Sequence, residues 1–164
     1  MSTASKNKGD RAERALVEHL RAAGFPRCRR TKAGGEKDMG DLSGVVDAEN
    51  VEWCVQVTDR TFPGHGALLA KAATVPAQAK ALGTDYWCMV VKRPRATDVG
   101  DWFVWLPLAQ LLSLVTYESV NEIRGVVGDD LACVTVRAWI ELVGPEVRND
   151  PEIGGALPAQ EDYR

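Results

Sequence analysis

The chain has 164 residues, 45% hydrophobic and 26% charged, with a net charge of −3. That length suits one domain with a proper core, and the composition excludes disordered and fibrous classes. No apolar run is long enough to span a bilayer, and MSTASKNKGD lacks the apolar segment of a secretion signal.

Residues 1–8 are expected to be a disordered basic arm. Gly9-Asp10 then opens a helix that ends near Gly24 and Pro26, with Asp10 as N-cap and Glu13 three residues later as its capping-box partner. Leu16, Val17 and Leu20 follow Glu13 at i+3, i+4 and i+7, so Glu13 lies on the stripe that faces the core. Residues 27–40 read as a basic, glycine-containing loop. Residues 1–37 hold ten Lys/Arg against four acids, a balance of +6, which leaves −9 for the rest. A basic segment on an acidic protein suggests a footprint for a polyanion; a solvated helix face with a basic arm accounts for it as well.

Strands are expected near 41–47 and 51–58, joined by a turn at Asp47–Asn50. A loop covers 59–66, and an alanine-rich helix covers 67–82, kinked or split at Pro76. YWCMVV (86–91) reads as a central buried strand and WFVWL (102–106) as another. A short helix runs from Pro107 to about Val115, and LACVTVRAWIELV (131–143) alternates as a late strand. Residues 144–164 read as a flexible acidic tail. The order predicts an α/β domain over 9–143, a small mixed sheet flanked by helices. Cys28, Cys54, Cys88 and Cys133 form no CxxC pair, so neither zinc spacing nor a disulfide framework is expected, and the chain reads as cytoplasmic and reduced.

The stretch from Lys37 to Arg60 carries the chemistry. Asp41 opens one strand, and Gln56-Val57-Thr58 closes the next. In a strand, Gln56 and Thr58 point to one face and Val57 to the other. Two polar side chains on an apolar strand, facing a carboxylate on its neighbour, suit divalent-metal chemistry on phosphodiesters.

These segments resemble the PD-(D/E)XK nuclease superfamily, and more narrowly the Holliday-junction-resolvase-like endonucleases of archaea and phages. The resemblance covers roughly residues 8–115. It rests on KGDRAERALVEHLRAAGF, RRTKAGGEKDMGDLSG, VEWCVQVTD, KAATVPAQAKALGTDYWCMVVKRP and DWFVWLPLAQLLSLV, in that order. It implies a restriction-endonuclease-like core, cleavage of branched DNA, Mg²⁺ or Mn²⁺ as cofactor, and a C2 homodimer. Glu13 falls on the family's first-helix glutamate and Asp41 on its metal aspartate. Gln56 stands where the family has Asp or Glu, and Thr58 where it has the catalytic lysine. Metal ligands would then be Asp41, Gln56 through its amide oxygen, the Val57 carbonyl and Glu13. A hydroxyl at Thr58 supplies no positive charge, so Lys92 or Lys37 is expected to substitute, Lys92 being favoured at the end of YWCMVV. Lys8, Arg11, Arg29, Arg30, Lys32 and Lys37 are the expected phosphate contacts.

Plainer readings stand beside these. Glu13 is also explained by capping, Asp41 by a Gly-Asp turn, and Gln56 and Thr58 by the polar face of an edge strand. Asp38 and Asp59 read as solvated, although either can add a carboxylate. His65 is taken as an exposed loop residue and His19 as chemically idle. Trp53, Trp87, Trp102 and Trp105 are taken as core or subunit contacts. The altered triplet keeps two further functions open: a non-cleaving descendant that binds DNA or protein, and an interaction protein that meets a host factor through its acidic half.

Overall fold

The computed structural model describes residues 3–31, 38–62, 64–114, 125–127 and 131–144. The strands among them are β1 (Arg29–Arg30), β2 (Leu42–Ser43), β3 (Cys54–Thr58), β4 (Trp87–Val91), β5 (Phe103–Pro107), β6 (Gly125–Val127) and β7 (Leu131–Thr135). The helices are α1 (Thr3–Ala22), α2 (His65–Ala72), α3 (Val75–Leu82), α4 (Leu108–Leu114) and α5 (Val136–Val143). The strands form one sheet in the order β1-β2-β3-β4-β5-β7-β6. Only β3 and β4 pair in parallel, and α2 and α3 make the crossover between them. This is the expected mixed α/β fold.

Strand periodicity divides the core into two layers. Val55, Val57, Cys88 and Val90 pack with Leu16 and Leu20 of α1 and with Trp139 of α5. Cys54, Trp87, Met89 and Val91 pack beneath Leu68, Ala72, Val75 and Ala79 of α2 and α3. Every residue of β4 is buried, as befits the strand near the sheet's centre. Trp53, Trp87 and Trp102 are buried, and Trp105 is half-buried. All four cysteines are buried and none forms a disulfide, and burial pushes the Cys28 and Cys54 thiols up to about 12. Among the described residues, no helix is long and apolar enough to cross a membrane.

The turn at 47–50 forms around one carboxylate. Asp47 accepts from Glu49 N at 3.0 Å, Val51 N at 2.9 Å and Trp53 Nε1 at 2.9 Å. The alanine-rich helix splits as expected, with Pro76 in the first turn of α3, where its missing N–H has no intrahelical partner to lose.

Three expectations are corrected. α1 begins at Thr3, so residues 3–8 are helical, and Asp10 lies inside the helix rather than capping it. Within the basic loop, Arg29–Arg30 pair with β2 as a short strand. The late strand ends at Thr135, whose hydroxyl accepts the Ala138 N–H at 3.2 Å and starts α5. Val136, Trp139 and Val143 are buried at i, i+3 and i+7, a helical period within what looked like alternation. The tail from residue 145 lies outside the described residues.

Candidate functional site

The chain reaches β3 closely at Gly40. A Cβ there would stand 2.9 Å from Cys54 Sγ and 3.2 Å from the Val55 carbonyl oxygen, and φ is +86°, so glycine is required. Asp41 follows at once. Its N–H donates to the Val55 carbonyl at 3.0 Å, and its own carbonyl accepts from Thr31 N at 2.8 Å. β2 pairs with β3 only at Leu42–Val55, so among the described residues the edge of β3 beyond that point lacks a strand partner. The Asp41 side chain fills the gap: Oδ2 accepts the Val57 N–H at 2.7 Å and an N–H of Gln56 Nε2. The structure thus brings Asp41, Gln56 and Val57 together, as the spacing predicted.

Gln56 and Thr58 are only 7% exposed and stand on the face covered by α2 and α3. Gln56 Oε1 is buried without a hydrogen-bond partner. Burial pushes the Asp41 carboxyl up to about 6; the Val57 N–H opposes this, Glu13 and Asp38 add to it, and Lys71 lowers it. The site therefore holds a buried carboxylate whose charge is poorly compensated.

The other predicted residues divide around it. Glu13 Oε2 accepts from Arg30 Nε at 2.7 Å, and Asp10 Oδ1 accepts from Arg30 Nη2 at 2.8 Å. Glu13 is near enough to raise Asp41, yet its charge is matched by Arg30. Arg30, expected on phosphate, is instead clamped by two carboxylates one helical turn apart. Lys8, Arg11 and Arg29 are exposed, while Lys32 and Lys37 lie outside the described residues.

Lys92 is not brought to the site. Its ammonium is 3.3 Å from Asp59 Oδ2 and 5.8 Å above the Trp102 ring. Trp102 belongs to the layer under α1 and α5, whereas Gln56 and Thr58 face α2 and α3. Asp59 is engaged by Lys92 in the same way and adds no carboxylate to Asp41. His65 opens α2 and is exposed; His19 is half-buried on α1.

Two residues of this region, Gln78 and Lys71, escaped assignment from sequence. Gln78 is 8% exposed, donates Nε2 to Asp38 Oδ2 at 2.8 Å, and leaves Oε1 buried without a partner. The other Asp38 oxygen accepts from Gly40 N at 3.3 Å. Asp38, Gln78 and Lys71 line a cleft of about 510 Å³ with Thr74, Ala77 and Ala81. Gln78 had a readable signal, a polar residue on the apolar stripe Val75–Gln78–Ala79. Lys71 had none.

Among the described residues, no three His, Cys, Asp or Glu side chains converge as a metal site. The donors available near Asp41 are all hard oxygens: its carboxylate, the orphaned Gln56 Oε1 and the Val57 carbonyl, which leaves the strand on the same edge as the Val57 N–H. Such a set fits a magnesium-like cation, with one carboxylate in direct contact. Comparison with protein-family models, with curated proteins and with solved structures found no match to this chain.

Proposed function

We propose that this protein is a divalent-metal-dependent endodeoxyribonuclease that acts on branched DNA, built on a restriction-endonuclease-like core. One observation supports this above the rest: the buried Asp41 carboxylate meets Gln56 and Val57 across the open edge of β3, with an unpartnered amide oxygen beside it. Asp41, Gln56 Oε1 and the Val57 carbonyl would hold Mg²⁺ or Mn²⁺. When bound, the ion would neutralise charge on the scissile phosphate and lower the pKa of a water. Asp41 anchors, because burial in the sheet edge fixes its position. Glu13, held in place by Arg30, orients from the α1 side. The exposed Lys8, Arg11 and Arg29 carry phosphate contacts. Two symmetric nicks on a four-way junction imply a C2 homodimer. Four buried cysteines without a disulfide suit a reducing cytoplasm.

A second reading, a DNA-binding or protein-binding descendant without cleavage, is favoured by one observation: among the described residues a single carboxylate contacts the Gln56–Val57 edge. Incubating a labelled four-way junction with the chain, with and without Mn²⁺, separates the two. Metal-dependent nicking that Asp41→Ala abolishes supports the nuclease. Salt-sensitive binding with no product under either condition establishes the non-cleaving reading. Neither binding nor cleavage at ~50 mM salt, where phosphate contacts are strong, refutes the nuclease and the DNA-binding descendant and leaves the protein-binding one.

A further inference from the structure

The family lysine is replaced by Thr58, and Lys92 is committed elsewhere, which leaves the cleft lined by Asp38 and Gln78 as the place for another cation. We propose that Lys71 of α2, facing the cleft lined by Asp38, Thr74 and Gln78, is the group that binds a DNA backbone phosphate next to Asp41. The inference rests on the nuclease reading above and adds to it a phosphate-positioning residue from a helix rather than from the metal strand.

Three observations carry it. α2 and α3 cover the face of β3 that bears Gln56 and Thr58, so a side chain from this layer approaches the site from the correct side. Lys71 is half-buried on the cleft lining and makes no ion pair among the described residues, in contrast with Lys92 and Arg30. The competing negative charge in the cleft is already engaged, since Asp38 accepts from Gln78 Nε2 and from Gly40 N. A lysine is a compact point charge on a flexible stem, so it need not share a strand with the ligands to meet the phosphate they present.

The test uses the full chain and four-way junction DNA. Lysine acetylation read by mass spectrometry should show Lys71 protected by the DNA, with Lys80, which does not line the cleft, unprotected. Lys71→Met should lower the slope of log affinity against log salt by about 0.9, one phosphate contact, and Lys71→Arg should restore it. Lys92→Met should leave the slope unchanged. An unprotected Lys71, an unchanged slope in Lys71→Met, or a slope lost in Lys92→Met instead would each overturn the proposal. If the parent chain binds no DNA, the nuclease reading fails, and acetylation with and without pyrophosphate then decides the cleft alone. Protection of Lys71 by pyrophosphate supports the phosphate site, and absence of protection refutes it.

Discussion

Replacing Gln56 with glutamate turns the amide–carboxylate contact with Asp41 into a pair of carboxylates, and so asks whether this edge accepts a cation. In the native chain Gln56 Nε2 donates to Asp41 Oδ2. In the variant that donor is gone, and two full charges at ~4 Å would repel by about 4 kcal/mol at an effective dielectric of 20. The pair escapes most of this by keeping one proton, which restores an O–H donor between the groups. Burial already lifts Asp41 to about 6. Holding a proton on such a group at about pH 7.5 costs about 2 kcal/mol, from 1.5 units at 1.36 each. Protonation is the smaller cost, so Gln56→Glu should be less stable by about 2 kcal/mol at that pH in chelator. The deficit should vanish near pH 5.5, where the proton is bound anyway. A divalent ion at 100 times its dissociation constant returns about 2.7 kcal/mol, enough to reverse the sign. Urea unfolding of parent and variant with chelator and with Mg²⁺ measures all of this. Equal stability in chelator, or a variant that gains no more from metal than its parent, refutes the placement of a hard cation between positions 41 and 56.

The native chain carries a related pH signature. Because folding raises Asp41, its contribution to stability is complete below the ordinary aspartate value of 3.8 and is lost as pH rises through about 6. Between about pH 5 and pH 7.5 the loss is ~1.4 kcal/mol, and Asp41→Asn should flatten that part of the curve in chemical denaturation. Asp47→Ala strips the acceptor from three N–H groups, one of them the indole of the fully buried Trp53. It should cost about 3 kcal/mol, with Asp47→Asn recovering part of it, read as shifts in the urea midpoint. Gly44→Ala places a Cβ 2.2 Å from the Arg27 carbonyl oxygen at φ +71°. It should lose at least about 2 kcal/mol and broaden the unfolding transition.

Local chemistry was legible where one residue type decides the outcome. Pro76 splits a helix in any context, and the apolar run 86–91 has few places to go except a sheet centre. The period-2 rule alone placed Gln56 and Thr58 on one face. The ends of elements were less legible. Alternation through 131–143 concealed α5, because Thr135 serves a strand and a helix cap equally well, and the cap was decided by where Trp139 could be buried against Phe25 and Trp53. The capping box at Asp10 and Glu13 was misplaced for a long-range reason. Arg30 arrives from β1 and takes both carboxylates, an event with no trace in the helix's own sequence. Lys92 and Lys71 show the same limit. Both are lysines near the ends of apolar runs, and only the parallel register of β3 with β4, together with the crossover through α2 and α3, separates their faces.

The glutamine at 56 decides how this edge is stabilised by its own residues. A carboxylate at that position beside buried Asp41 would leave two like charges at an edge with no strand to share them, a fold stable only when loaded or protonated. An amide removes the repulsion and supplies a donor, so the edge closes on itself through Gln56 Nε2 and Val57 N. The same exchange would weaken the hold on a cation, since one negative ligand is gone, and it leaves Oε1 buried and unsatisfied. Glu13 cannot make up the difference while Arg30 neutralises it. Stability without metal and affinity for metal are thus set against each other at one residue. On the proposed nuclease reading, this edge should take a divalent ion chiefly when a phosphate, held by a cation outside the ligand set, brings further oxygens to it.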